Sequence, residues 1–206
     1  MLPIYVDIDD VLADTSSALI SLADKEFHKK VAYEDVTSFD LKVSFDLTWD
    51  EYEYFLERAH QPAEILNMAP IQASIEALNR WRAAGYEIAI VTGRPTTTYA
   101  TTLEWLAIHD VPYDRFLMVD KYARQGMDET ISLSIKALSE LEFCFAIEDS
   151  YDMAVHLAEN MDTLVFLYDR PWNRSASQNG NIRRFRSWEE IDRHFKISCP
   201  DPHRGT

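Results

Sequence analysis

Two aspartates, Asp7 and Asp9, follow directly on the apolar run Ile4-Tyr5-Val6. In an extended segment alternate side chains share a face, so both carboxylates can project to one side. Like charges held that close are costly unless a cation or a proton sits between them. Taken alone, the pair reads equally well as an acidic turn that caps a helix. An EF-hand is excluded, because the loop lacks a glycine at its sixth position and the later bidentate glutamate.

Other apolar runs end in complementary chemistry. Ile88-Ala89-Ile90-Val91 leads into Thr92-Gly93-Arg94-Pro95, which supplies a hydroxyl and, from Gly93 and Arg94, backbone N–H groups near a helix start, suited to an anion. Phe116-Leu117-Met118-Val119 ends at Asp120-Lys121, a cation, and Phe143-Cys144-Phe145-Ala146-Ile147 ends at Glu148-Asp149, two carboxylates. A hard divalent ion takes oxygen ligands, and Mg²⁺ commonly uses one or two carboxylates with water and a substrate phosphate. Acid, hydroxyl, cation and acid, each placed after an apolar run, form one constellation although each piece is weak.

The elements that must position these groups are legible from periodicity. Runs this short and apolar on both faces, with Leu164-Val165-Phe166-Leu167 as the fifth, suit a parallel sheet covered by helices. Ile71, Ile75, Leu78 and Trp81 recur at helical spacing before a stop at Gly85. Thr98 to His109, a stretch capped by Ser150 that holds Ala154, Val155 and Leu157, and one opened by Ser187 with Glu190 supply further helices. Alternating strand and helix predicts an α/β, three-layer Rossmann-like core with ligands at the carboxyl ends of the strands. The connection from Leu12 to Pro70 is longer than a crossover needs. Helices over Asp14–Lys30 and from Thr48 past Leu56 make it a small helical insertion over the strand ends. The expected division is therefore a core of 1–14 and 71–206 and a helical cap of 15–70. An extra helix is expected over Glu129–Leu141, and Ser175–Asn181 is expected to be a loop.

The chain of 206 residues is 47% hydrophobic, 12% aromatic and 27% charged, the composition of a globular domain with a real core. Its 35 acidic residues against 20 basic give a net charge of −15, which repels phosphate backbones and argues against general nucleic-acid binding. A phosphorylated ligand would need local cations or a metal. Cys144 and Cys199 build no disulfide framework, and the N-terminus lacks the basic start and apolar stretch of a signal peptide; a cytoplasmic location is expected. No apolar stretch is long enough to predict a membrane span. The six histidines show no zinc-like spacing. His109-Asp110 has no nucleophilic partner and is not read as catalytic. The aromatic content permits a homodimer without requiring one.

On these residues the chain resembles the haloacid dehalogenase superfamily phosphatases. Asp7-Ile8-Asp9-Asp10-Val11 matches the first motif, DxDx[TV]; Thr92 matches the second, Lys121 the third lysine, and Glu148-Asp149 the acidic fourth. Within the superfamily it is similar to the 5′(3′)-deoxyribonucleotidase branch, through Asp7–Asp14 (DIDDVLAD), Trp105-Leu106, and Arg170-Pro171-Trp172-Asn173-Arg174. The resemblance implies a Mg²⁺-dependent phosphomonoester hydrolase acting on a small phosphorylated metabolite, with a nucleoside monophosphate favoured. Asp7 would form an aspartyl-phosphate. Asp9 would protonate the leaving oxygen and then activate water, which calls for a raised pKa, in the apo or the substrate-bound state, that nearby Asp7 and partial burial would supply. Mg²⁺ would be held by Asp7, the Asp9 backbone carbonyl and Asp149. Thr92, Gly93, Arg94 and Lys121 would hold the phosphate. Glu148 and Asp152 are candidates to support the ligands from behind, although Asp152 reads more simply as a first-turn helix acid.

There are departures and alternatives. Lys121 lies far ahead of Glu148, and Lys136 is its rival. Asp10 stands where many relatives carry glycine. Phe39, Phe45, Trp49 and Tyr52 could stack on a base or simply form the core of the cap. Arg183-Arg184-Phe185-Arg186 is read as a solvated face or a local anion contact. A sugar phosphatase and a non-catalytic phosphate-binding module are the competing functions. A dehalogenase gives Asp9 no purpose, and no lysine of the insertion is marked for the imine chemistry of a phosphonatase.

Overall fold

The computed structural model describes residues 2–121, 126–175 and 180–198. Its elements run β1 (Ile4–Asp7), α1 (Thr15–Phe27), α2 (Leu41–Ser44), α3 (Trp49–Ala59), α4 (Pro62–Leu66), α5 (Ser74–Ala83), β2 (Ile88–Thr92), α6 (Tyr99–Ile108), β3 (Arg115–Asp120), β4 (Ser132–Ser134), α7 (Ile135–Leu138), β5 (Phe145–Glu148), α8 (Tyr151–Asn160), β6 (Val165–Tyr168), β7 (Ile182–Phe185) and α9 (Trp188–Ser198). The strands form a seven-stranded sheet in the order β4-β3-β2-β1-β5-β6-β7. Every pairing in it is parallel.

Both sheet faces are covered, which is why its central strands read as unbroken apolar runs. Ile4, Val6, Ile88, Ile90, Phe145 and Ile147 face a layer built on Trp81, Trp105, Trp188 and Phe195. The alternate residues Tyr5, Ala89, Val91, Ala146 and Val165 face Leu138, Met153, Ala154 and Leu157. The expected α/β Rossmann-like architecture is present. Strand β1 sits at the centre, so Asp7 is buried between the ends of β2 and β5.

Between β1 and β2 lie α1 to α5. Leu19, Leu22, Phe45, Leu47, Phe55 and Ala59 form a cluster of their own in this segment. Helix α3 starts at Thr48 with the capping box foreseen from Glu51. The chain enters and leaves the segment on adjacent paths: Asp14 N–H donates to Ala69 O at 2.8 Å and Ile71 N–H to Leu12 O at 2.7 Å. Two buried indoles pin these paths, Trp188 donating to Val11 O and Trp105 to Met68 O, each at 2.8 Å. Leaving such a buried N–H without a partner would cost about 1–3 kcal/mol. Gly85, at φ 91°, makes the left-handed turn that stops α5.

Two edge elements differ from expectation. Residues 129–141 hold β4 and the one-turn α7 instead of one long helix, because Ser132-Leu133-Ser134 pairs with the open edge of β3. Arg183-Arg184-Phe185, read as a solvated face or a local anion contact, lies in β7, the opposite edge strand, with Arg183 exposed and Arg184 paired to Asp169 at 3.1 Å. Residues 176–179 of the foreseen loop, with Cys199 and His203, lie outside the described residues. Among the described residues no helix is long and apolar enough to cross a membrane.

Candidate active site

Four strand ends converge. Asp7 closes β1, Thr92 closes β2, Lys121 follows β3 and Glu148 closes β5. Lys121 Nζ lies 2.7 Å from Asp7 Oδ1 and 2.6 Å from Glu148 Oε1, with all three side chains withdrawn from solvent. Tyr5, two residues before Asp7 on the same strand face, donates its hydroxyl to Glu148 Oε1 at 3.0 Å. The other Glu148 oxygen accepts the N–H groups of Asp149 and Ser150, each at 2.9 Å. Glu148 is thus saturated by protein donors and fixes Lys121 against Asp7. Lys136, the rival lysine, is exposed on α7.

Asp7, Glu148 and Asp149 each offer a carboxylate oxygen within 4.8 Å of the others. Three buried carboxylates against one ammonium leave an excess of negative charge. Burial pushes the Asp7 carboxyl well above its ordinary range; Lys121 opposes this, while Glu148 and Asp9 add to it. Burial likewise raises Asp149, reinforced by Glu148, Asp10 and Asp7. A small oxygen-seeking dication would relieve this repulsion, so the donor set fits Mg²⁺. With Glu148 committed to Lys121, Asp7 and Asp149 are the carboxylates left to hold it.

Asp9 faces a different partner. Arg94, whose side chain is only 5% exposed, brings Nη2 to 2.7 Å and Nε to 3.1 Å from Asp9 Oδ1, and Thr15 donates its hydroxyl to the same oxygen at 2.7 Å. Asp9 Oδ2 receives only Nε, at 3.2 Å, among the described bonds. For the ligand-free chain the raised Asp9 pKa expected from the sequence is corrected: burial pushes the carboxyl up, but the charge and hydrogen bonds of Arg94, with the Thr15 bond, hold it below its ordinary value.

Arg94 also departs from the role foreseen for its backbone. Its N–H donates to Thr92 Oγ1 at 3.2 Å, inside the turn, while its guanidinium grips Asp9. Thr92 is fully buried at the end of β2, and Gly93 and Arg94 line the cavity. Asp152 borders the same cavity from an exposed position in the first turn of α8, outside the acidic cluster. Sequence reasoning missed Thr15, Tyr5 and the Arg94 side chain. Only Tyr5 carried a signal, its period-two relation to Asp7.

Asp10 explains its own departure from glycine. Its φ is 55°, in the left-handed region that Asp tolerates better than most residues. Its carboxylate accepts the Ser16 N–H at 3.0 Å and the Ser16 hydroxyl at 2.7 Å, tying the loop to the start of α1. Burial pushes its carboxyl up to about 7, with Ser16 and Arg170 opposing.

These groups open into a cavity of about 890 Å³. Asp7, Asp9, Lys121 and Asp149 lie in its wall on the core side, and Val36, Phe39, Leu41, Tyr52 and Leu56 line it from the insertion.

Comparison with known proteins follows the same lines. A profile of the family described as "5′ nucleotidase, deoxy (Pyrimidine), cytosolic type C protein" matches residues 1–197. A protein of Halalkalibacterium halodurans, provisionally named a nucleotidase, is 26% identical over 185 residues, covering 90% of this chain and 88% of its own length. A haloacid dehalogenase family hydrolase of Deinococcus radiodurans, solved with bound phosphate and sodium, superimposes with a TM-score of 0.61 at 16% identity, over 95% of each chain. A protein of Lactobacillus delbrueckii subsp. bulgaricus, provisionally described as a phosphoglycolate phosphatase, gives 0.63 at 16% identity, over 94% of this chain and 98% of its own. At these identities the solved structures establish the fold.

Proposed function

Because the chain belongs to the 5′-nucleotidase, deoxy (pyrimidine), cytosolic type C family, within the haloacid dehalogenase phosphatases, we propose that it hydrolyses nucleoside monophosphates through a covalent phosphoenzyme at Asp7. The observation that carries this reading is the meeting of Asp7, Lys121, Glu148 and Asp149 in the wall of one cavity. Asp7 is the nucleophile: its Oδ1 is anchored by Lys121, which holds the carboxylate still for attack on phosphorus. The same ammonium then faces the oxygens on which charge builds, and the Thr92 hydroxyl, buried beneath the turn where it accepts the Arg94 N–H, is assigned the part of a second donor. Asp9 works through Oδ2, the oxygen least engaged by Arg94 and Thr15. It delivers a proton to the leaving oxygen and afterwards takes one from the water that cleaves the acyl phosphate. Asp7, Asp149 and the Asp9 carbonyl hold Mg²⁺, which when bound neutralises charge on the phosphoryl oxygens.

Residues 15–70 serve as the cap, with the core in 1–14 and 71–206. The cap side of the cavity presents Val36, Phe39, Leu41, Tyr52 and Leu56, apolar and aromatic faces on which a planar base can pack, beside Ser38, Asp40, Glu57 and His60, polar groups that can hydrogen-bond a base edge or a sugar. The same reading places the enzyme in the cytoplasm.

The test is phosphate release, with Mg²⁺, from deoxyribo- and ribonucleoside monophosphates, sugar phosphates and p-nitrophenyl phosphate. Nucleoside monophosphates are expected to lead in kcat/KM, and Asp7→Asn to lose on the order of 10⁴-fold or more in turnover. Faster hydrolysis of sugar phosphates would overturn the substrate assignment. Absence of release from folded protein across the whole panel would leave a phosphate-binding module.

A further inference from the structure

The segment after β6, Arg170-Pro171-Trp172-Asn173-Arg174, touches both strand ends that carry the proposed metal ligands. Arg170 donates through Nε and Nη2 to Asp10 O, at 2.9 and 2.6 Å, and so grips the loop that follows β1. Trp172 Nε1 donates to Asp149 Oδ2 at 2.9 Å. Asn173 Nδ2, almost fully buried, donates to Asp149 O at 2.7 Å and to Tyr168 O at 2.8 Å. Asp149 is therefore held twice by one turn, by its carboxylate and by its backbone. The indole has its own seat: its ring meets Tyr33 at 6.1 Å and Phe39 at 5.8 Å, both edge-on, from the segment between β1 and β2. Beside it Arg174 pairs with Glu34 of that segment and with Asp169.

A carboxylate with one oxygen pinned by a fixed donor has lost its rotation about χ2. Its remaining lone pairs then point in one direction, a precondition for a ligand of a cation that demands near-ideal octahedral geometry. Nothing else in the described hydrogen bonds restrains the Asp149 side chain. We propose that Trp172 is a positioning residue for the cation, its indole N–H setting the Asp149 carboxylate for metal binding. The proposal rests on the metal-dependent reading of the site above.

The experiment titrates Mn²⁺ into the full-length protein, without substrate, by calorimetry or by the electron paramagnetic resonance of free Mn²⁺. Two variants separate donor from ring. Trp172→Phe keeps an aromatic ring against Tyr33 and Phe39 but has no N–H. Trp172→Gln loses the ring but carries an amide N–H at the same number of bonds from Cα as the indole nitrogen. Trp172→Phe is expected to weaken Mn²⁺ binding about tenfold or more, and Trp172→Gln to recover part of that loss. Mn²⁺ affinity within about twofold of wild type in Trp172→Phe, or a Gln variant no better than the Phe variant, overturns the proposal. Should Trp172→Phe melt below the temperature of the titration, Trp172→Gln decides alone: a loss of about threefold or less sustains the proposal and about tenfold overturns it. A wild-type chain that binds Mn²⁺ but hydrolyses no phosphomonoester would sink the functional reading and leave this comparison intact. Unchanged binding in an active Trp172→Phe enzyme would do the reverse.

Discussion

The two sides of the β1 terminus are built on opposite electrostatic plans. On the Asp7 side, at the ends of β1, β3 and β5, three buried carboxylates cluster around one ammonium that pairs with two of them, Asp7 and Glu148. On the Asp9 side, between β2 and α1, one carboxylate is matched by one guanidinium and a hydroxyl. The consequence is a pair of aspartates two residues apart whose pKa values move apart, Asp7 up and Asp9 down. Environments that separate like groups assign them different work. The Asp7 side is electrically incomplete and calls for a cation. The Asp9 side is complete, and without substrate Arg94 and Thr15 favour its ionised form, the form that accepts a proton from water in the second step. For the preceding step, a proton has to reach Asp9 against the pull of Arg94, which substrate phosphate approaching between the two aspartates favours.

The largest break in this comparison comes from removing the shared ammonium. Lys121→Met leaves Asp7 and Glu148 buried without their counter-charge, a change of the kind that costs about 3–5 kcal/mol. Thermal melts of the metal-free variant are expected to show that loss, and added Mg²⁺ to restore part of it. Turnover should fall by about 10²–10³-fold even at saturating Mg²⁺, because a dication replaces the charge but not the donor aimed at Asp7. A variant as stable as wild type in EDTA would mean that the Asp7 side carries no excess charge, and the contrast would fail.

The Asp9 side is tested next by leaving group and by pH. Asp9→Asn is expected to slow hydrolysis of a nucleoside monophosphate about 10²–10⁴-fold, and to slow formation of the phosphoenzyme from p-nitrophenyl phosphate much less, since nitrophenolate departs without a proton. Arg94→Met removes what holds the Asp9 carboxyl low, so the carboxylate form is reached only at higher pH. The acidic limb of the kcat profile should move upward in that variant. A limb that stays in place would show that Arg94 braces the loop mechanically and does not set the charge of Asp9.

Much of this arrangement was readable because central parallel strands are apolar on both faces and stop abruptly at their polar ends. Asp7, Thr92, Lys121 and Glu148 could each be named from such a stop. The edge strands gave no comparable signal: Ser132-Leu133-Ser134 and Ile182-Arg183-Arg184-Phe185 are short and polar on their outer sides, and their pairing is decided by the sheet edge they meet. The Asp9 side was misjudged for a different reason. Arg94 lies 85 residues from Asp9, and a sequence shows which backbone N–H groups stand near a helix start but not where a guanidinium turns. Trp172 was noticed as part of a shared pattern, while its bond to Asp149 spans 23 residues, with helix α8 and strand β6 between them.

The smallest effect is expected at Asp10, which lies between the two sides and tests whether burial alone lifts a carboxyl here. The folded chain holds the Asp10 proton up to about pH 7, whereas an unfolded chain releases it near the ordinary 3.8. Across that window the folded state binds more protons, so the contribution of Asp10 to stability is whole below 3.8 and is lost as the pH rises through about 7. Asparagine tolerates φ 55°, can accept the Ser16 N–H and can donate to the Ser16 hydroxyl, while it carries no charge to bury. In EDTA, the melting temperature of Asp10→Asn should therefore fall less than that of wild type between pH 5 and pH 8, by a few degrees, about 2–4 °C for each kcal/mol at this chain length. An equal fall in both proteins would mean that Arg170 and Ser16 already compensate the Asp10 charge. Asp10 would then belong with the complete Asp9 side, and the excess of negative charge would end at Asp149.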